Sequence, residues 1–151
     1  MNICVYDNDC LNNVRLMEVF KNLDYRNILW FFEFSCCEKM LKCKTEIDLF
    51  IVSWECERKN TKKSACSIIR ESGYSGPIIF TTENRNIAEK SEDLEEYLEL
   101  KESIYKHGII NVILKPYDID KVFSKIQSAK RIIENRKKIL QVEKTAVSQH
   151  S

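Results

Sequence analysis

The chain has 151 residues, 44% of them hydrophobic, which is enough for one sizeable core and predicts a single folded body. Its net charge of +1 at pH 7 gives no global field that would favour nucleic acid or an anionic membrane surface. We expect a cytoplasmic protein with reduced thiols, because the seven cysteines are an odd number and neither a secretory leader nor a membrane-length apolar run is present.

The first part of the chain is predicted to alternate between strands and helices. Residues 2–6 form a short apolar strand, and the polar run Asp7, Asn8 and Asp9 follows it. Residues 28–34 are expected to be a second strand, and residues 37–43 a short second helix. Between the strands, four apolar residues at i, i+3, i+4 and i+7 predict a helix with one face on a sheet: Leu16, Val19, Phe20 and Leu23.

Residues 47–55, I-D-L-F-I-V-S-W-E, are the stretch around which the chain is organised. Their continuous apolar run predicts a central strand of a parallel sheet, buried on both faces. Ligands bind beyond the carboxyl ends of such strands, so Ser53, Trp54 and Glu55 are expected at a functional edge. Residues 55–61 are predicted to be a loop, followed by a helix that Gly73 ends.

The second half of the chain continues the alternation. Residues 78–82 and 109–114 are predicted to be the fourth and fifth strands, and a long helix is expected from Asp118 to about residue 143, before a polar, disordered tail. In the stretch between these strands, four residues predict a helix with one apolar stripe, stopped by Gly108: Leu94, Tyr97, Leu98 and Tyr105. The alternation predicts an α/β fold, a doubly wound parallel sheet with right-handed crossovers.

These landmarks together resemble the receiver domains of two-component response regulators, over nearly all of residues 2–130. The stretches that carry the resemblance are M-N-I-C-V-Y-D-N-D, D-L-F-I-V-S, I-I-F-T-T and V-I-L-K-P-Y-D, and the first and the last of these are most similar to receivers of LytTR-type regulators. The resemblance implies a flavodoxin-like, CheY-like five-stranded sheet with strand order 2-1-3-4-5. Residues 1–130 would be the receiver-like domain, and residues 131–151 an extension of the last helix and a possible linker to an output domain.

The resemblance also implies a phosphorylation pocket, whose chemistry needs a carboxylate nucleophile and a divalent cation held by carboxylates. Carried over residue by residue, Asp7 and Asn8 stand at the metal-binding positions, with Asp9 beside them. The acceptor, hydroxyl and cation positions are taken by Ser53, Thr82 and Lys115. Because Asn8 and Ser53 have no carboxylate, we expect a degenerate pocket without a cofactor, in which magnesium binding is weak at best and Asp7 is its one weak candidate ligand.

Several alternatives remain open at this pocket. A register slip of one residue would place Trp54 at the acceptor position, and a slip of two would place Glu55 there, where its carboxylate would mimic a phosphorylated aspartate. Thr82 has an alternative role as a helix cap and Lys115 as a surface lysine. Trp54 either covers the pocket or packs against a loop.

The family's usual interaction face combines the fourth helix, the fifth strand and the last helix. The residues predicted for this face are Val112, Ile126, Ile132, Ile139 and Leu140. The apolar pattern of the last helix continues past the reach of the sheet, which favours pairing with another helix over a frayed, solvated tail. We expect a protein partner or a second copy, contact with DNA only through an output domain outside these residues, and no membrane contact.

The leading hypothesis is a non-enzymatic pseudo-receiver that works independently of phosphorylation, as a regulatory interaction or dimerisation module of a transcriptional regulator. The alternative is a phosphorylation-switched receiver with an atypical acceptor. A flavin carrier of the same fold is disfavoured because Asp7 and Asp9 would repel a phosphate. A zinc site at Cys36, Cys37 and Cys43 is disfavoured by the lack of a C-x-x-C spacing.

Overall fold

A computed structural model describes residues 1–43, 45–59, 63–85 and 94–149. The elements in chain order are β1 (Ile3–Tyr6), α1 (Cys10–Asn22), β2 (Ile28–Phe31), α2 (Phe34–Lys42), β3 (Leu49–Ser53), α3 (Trp54–Lys59), α4 (Ala65–Glu71), β4 (Ile78–Thr82), α5 (Leu94–His107), β5 (Ile109–Leu114) and α6 (Ile119–Gln149).

The five strands form one parallel sheet in the order β2-β1-β3-β4-β5, which confirms the predicted flavodoxin-like, doubly wound α/β fold. Tyr6 pairs with Val52, and Ser53 pairs with Thr81. The carboxyl ends of β1, β3 and β4 therefore meet at one edge of the sheet, where ligands bind in folds of this kind.

The core consists of two apolar clusters, one on each face of the sheet. Every residue of β3 and β4 is buried, as expected for central strands covered on both faces. On one face α1 and α6 cover the sheet with Leu16, Phe20, Val122, Ile126 and Ala129. On the other face α2, α3, α4 and α5 cover it with Phe34, Cys37, Trp54, Ala65, Cys66, Ile69 and Leu100.

Local signals place the ends of several helices. Asp9 caps α1, because its carboxylate accepts from the amides of Leu11 and Asn12. Ser64 caps α4 in the same way. Gly73 and Gly108 follow α4 and α5 with φ of 99° and 67°, a backbone conformation that glycine adopts at low cost.

The structure corrects the prediction of a loop over residues 55–61. Residues 54–59 form α3, which begins directly after β3 because Trp54 turns into the core and the Ser53 hydroxyl accepts a hydrogen bond from the amide of Cys56. The second helix also begins earlier than predicted, at Phe34, whose ring packs on Tyr6.

Two predictions for the later helices were also wrong in part. The proposed apolar stripe of α5 mostly faces away from the core, since Leu94, Leu98 and Tyr105 are exposed and Tyr97 is half-buried, whereas Leu100 is the buried apolar residue of the helix. The last helix continues to Gln149, so the residues after 143 that the structure describes are helical instead of disordered.

Candidate functional site

A buried group of charges lies at the carboxyl edge of the sheet. The Lys115 ammonium lies 2.9 Å from Asp7 Oδ2 and 3.5 Å from Glu55 Oε1. The side chains of Lys115 and Asp7 are each only 4% exposed, and that of Glu55 is 30% exposed. Lys115 is therefore a pocket lysine, not a surface one, and its single positive charge is shared between two carboxylates.

Glu55 also holds the segment that follows β4. Its Oε1 accepts a hydrogen bond of 2.7 Å from the amide of Glu83. The carboxylate of Glu83 in turn accepts from the Asn12 side-chain amide, at 2.9 Å. The start of α1, the start of α3 and the end of β4 are thus connected through side chains around the pocket.

The acceptor position is occupied by a buried serine. Ser53 is the last residue of β3 and follows Val52, the partner of Tyr6, so it lies level with Asp7 at the edge of the sheet. Trp54 points away from this site, because its ring packs on Phe80 in the core. The register therefore agrees with Ser53, and Trp54 neither takes the acceptor position nor covers the pocket.

The residues after β1 have separate tasks. Asp7 Oδ1 accepts from the amide of Asp9 at 2.9 Å, and the Asn13 side chain donates to the Asp7 carbonyl. Asn8 is exposed, and its amide lies 3.4 Å from the Cys56 sulfur. Asp9 is committed to the cap of α1. Only Asp7 of these three directs a carboxylate to Lys115.

The hydroxyl position is fully buried at the end of β4. Thr82 Oγ1 accepts a hydrogen bond from the amide of Asn84, and the Thr82 carbonyl accepts from the amide of Lys115. The hydroxyl thus supports the local turn after β4 rather than the first turn of the next described helix, which begins at Leu94.

Two further side chains at this edge were not identified from the sequence. Burial raises the pKa of the Tyr117 phenol, a hydrogen bond with Thr81 acts in the opposite direction, and the charges of Asp7 and Glu55 raise it further. Burial also raises the pKa of the Cys56 thiol. Cys56 lies in no recognisable motif and is placed at this edge by α3, whereas Tyr117 lies in the stretch V-I-L-K-P-Y-D, to which the resemblance gave no pocket role at that residue.

The residues of this edge do not fit a divalent cation. Both carboxylates at this edge already have partners, since Asp7 contacts Lys115 and the Asp9 amide and Glu55 contacts Lys115 and the Glu83 amide. The positions next to them offer the neutral side chains of Asn8 and Ser53. In the described ranges no three His, Cys, Asp or Glu side chains are grouped for metal binding. Cys36 and Cys43 are exposed while Cys37 is buried in the core.

The predicted interaction face is only partly available. Ile126 was wrongly included, because its side chain is fully buried between α6 and the sheet. Val112 is half-buried on the edge strand β5, and Ile132 is half-buried on α6. Ile139 and Leu140 are 59% and 57% exposed. Within the described part of the chain, no helix has the length and apolar character needed to cross a bilayer.

Comparison with known proteins identifies the fold. No protein-family model and no curated protein sequence matches the chain. Among solved structures, a signal receiver domain of an HD domain-containing protein from Pseudomonas fluorescens Pf-5 is similar, with a TM-score of 0.67 and 17% identity over 89% of this chain and 97% of that one.

Two further solved structures extend the comparison. A two-component transcriptional regulator, AraC, from Clostridium phytofermentans has a TM-score of 0.63 and 14% identity, over 91% of this chain and 98% of that one. A fusion carrying a trimeric coiled coil of yeast Spc42 has a TM-score of 0.69 and 11% identity, over 99% of this chain and 98% of the fusion. The structural neighbours include response regulator receiver domains, and the chain has their fold.

Proposed function

We propose that this chain is a receiver-like regulatory module that acts without phosphorylation and without catalysis. The observation that carries the proposal is the placement of Lys115 between Asp7 and Glu55, beside a serine at the acceptor position. In a receiver the equivalent lysine would bind the phosphoryl group. Here its charge is offset by two carboxylates of the same chain.

Glu55 supports this proposal in a second way. A phosphoryl group in a receiver would recruit the lysine and rearrange the segment after the fourth strand. In this chain a carboxylate of α3 already contacts Lys115 and holds the amide of Glu83. The negative charge that phosphorylation would supply is therefore built into the sequence, and the pocket has one permanent state.

A module of this kind acts through its surfaces. The exposed apolar side chains of α5 and the first turns of α6 lie on the elements of the family's interaction face: Leu94, Leu98, Tyr105, Ile119 and Phe123. We propose that this face or the end of α6 binds a protein partner or a second copy, in the cytoplasm and within a transcriptional regulator. The similarity to a coiled-coil fusion over 99% of this chain supports oligomerisation through helices.

The test is a titration with magnesium and beryllofluoride, which mimics an aspartyl phosphate, followed by amide NMR shifts. We expect no saturable change at residues 7–9, 53–55, 82 and 115. The alternative, a phosphorylation-switched receiver with an atypical acceptor, requires saturable shifts at these amides, and observing them in the natural chain would overturn the proposal.

A matched variant shows that the assay can detect binding. The triple substitution Asn8→Asp, Ser53→Asp and Glu55→Gln supplies the two missing carboxylates and removes the one that competes for Lys115. This variant is expected to bind both ions, with shifts centred on the same amides. If the variant shows saturable amide shifts and the natural chain shows none, these three residues account for the absence of ion binding in the natural chain.

A further inference from the structure

The free end of α6 carries a heptad pattern of mostly apolar side chains, interrupted by Asn135, which lies beyond the buried core residues of the helix. We call five residues of this helix the outer stripe. Its first row is Ile132, Ile139 and Ala146, which are seven residues apart, and its second row is Asn135 and Val142, which lie three residues after the first two of these. Ile139 and Val142 are 59% and 69% exposed. This spacing places the side chains on one side of the helix, as at positions a and d of a heptad.

We propose that α6 pairs with α6 of a second copy of this chain, as a parallel two-stranded coiled coil with the outer stripe as its seam. Ile132, Ile139 and Ala146 occupy the a positions, and Asn135 and Val142 the d positions. The inference deepens the proposed function, because it names the partner and the contact through which the module acts.

A second stripe on the same helix is the competing seam. This inner stripe comprises Ile133, Arg136, Leu140, Glu143 and Val147, and it continues the line of Ile126 and Ala129, which are buried against the sheet. Its second row consists of Arg136 and Glu143, so a seam here would bury two charges in each copy, which costs more than burying apolar groups. Arg136 is moreover turned to its own body, where it donates to the Ser75 carbonyl.

The charges that flank the outer stripe favour the parallel orientation. Lys138 occupies a g position and Glu143 an e position. In a parallel coil each g residue faces the e residue five positions later in the partner, so Lys138 faces the partner's Glu143 on both sides of the seam, and Arg131 would face the partner's Arg136. The repulsion between these two arginines is reduced because Arg136 donates to the Ser75 carbonyl of its own body. An antiparallel coil would place g beside g and e beside e, so Lys138 would face a second lysine instead of Glu143, and Glu143 would face Arg136, which is turned to its own body.

The helix is prepared for this contact before pairing. Residues 132–146 form about two heptads and extend roughly 22 Å, a length at which an isolated helix is only marginally stable in water. In this chain Val122, Ile126 and Ala129 anchor the start of the same helix in the core. Folding of the body therefore already offsets the entropy cost of forming the helix. When two helices pair, the remaining conformational cost is that of ordering their side chains.

The first experiment compares two aspartate substitutions by sedimentation equilibrium of the full chain over a range of concentrations. Ile139→Asp is expected to weaken dimerisation about tenfold or more, because it places a carboxylate in the seam. Leu140→Asp is the matched control: it has nearly the same exposure but lies on the inner stripe, and it is expected to leave dimerisation unchanged. A natural chain that remains monomeric, or equal effects of the two substitutions, would overturn the inference.

The second experiment tests orientation. Lys138→Glu and Glu143→Lys are each expected to weaken the dimer, and the double variant to restore it, because the exchanged charges face each other again. A double variant as weak as either single one contradicts the parallel register. The beryllofluoride titration, repeated on Ile139→Asp, reports on the pocket independently, so failure of the coil and failure of the pocket proposal are distinguishable.

Discussion

At the scale of single residues, Lys115 determines the electrostatics of the pocket. Its ammonium lies between Asp7 and Glu55 in a site from which water is largely excluded. A buried ion pair adds little stability over an apolar replacement of the whole group, but removal of one member leaves the other charges without compensation. The arrangement is therefore sensitive to which residue is removed.

We predict that Lys115→Met lowers the free energy of unfolding by about 3–5 kcal/mol, because two carboxylates are left without their counter-charge. Urea denaturation at neutral pH measures the loss. Adding Glu55→Gln to this variant should recover part of it, since one of the two negative charges is then absent.

Lys63 provides the control for that measurement. It pairs with Glu71 at the surface, where the two side chains are 51% and 60% exposed. Because water screens exposed pairs, Lys63→Met should change the free energy of unfolding by less than about 1 kcal/mol. Equal losses for the two lysine variants would mean that Lys115 does not carry the electrostatic role assigned to it.

At the scale of elements, the contact among α3, α4 and α5 contains a second buried polar group. Glu57 of α3 is 5% exposed and accepts from the Cys66 amide at the start of α4. His107, the last residue of α5, has its Nε2 atom 3.4 Å from the hydroxyl of Ser64. Burial lowers the pKa of His107, the Glu57 carboxylate raises it, and the charges of Lys106 and Arg70 lower it, with a net decrease.

The lowered pKa predicts a loss of stability on acidification. The unfolded chain takes up the proton of His107 at about pH 6.5, whereas the folded chain resists it to a lower pH. The stability that neutral His107 contributes to the folded chain is therefore complete above about pH 6.5, and it is lost as the pH falls from there toward the lower pKa of His107 in the folded chain. Urea midpoints at about pH 7.5 and 5.5 should differ less in His107→Gln than in the natural chain, and an unchanged pH dependence would exclude this role.

At the scale of the whole molecule, the sheet was predictable because the pattern of apolar residues along the chain indicates which strands are buried. The apolar runs of β3 and β4 are buried on both faces, and Gly73 and Gly108 mark helix ends by a conformation that few other residues adopt. The pocket was predictable because the resemblance to receiver domains assigned positions to Asp7, Ser53 and Lys115, and the structure places Ser53 at the end of β3 and the other two directly after β1 and β5. Glu55 was harder to place, because its direction depends on α3, which no sequence pattern predicted.

The same limit explains the errors on the later helices. In α5 both faces carry apolar residues, so periodicity alone could not determine that Leu100 is buried and Leu98 exposed. In α6 the polar composition after Val142 indicated disorder, although helix propensity and continuity with the anchored first turns maintain the helix to Gln149. Tertiary packing determines which residues of a helix are buried and where the helix ends, and the sequence of a single chain does not show how its elements pack.

The pairing of α6 leads to a prediction for the stability of the whole chain. If two copies associate only when folded, the thermal midpoint must rise with chain concentration, by roughly 1–3 °C for each tenfold increase. A chain ending at Lys137 lacks the contacts of Ile139 and Val142 but keeps the core side chains of α6, which end at Ala129. Its midpoint should therefore be independent of concentration, while its circular dichroism retains the α/β signature. If the midpoint depends on concentration in both chains, the dimer contact lies within residues 1–137 and not at Ile139 and Val142. If it depends on concentration in neither chain, association linked to folding is excluded.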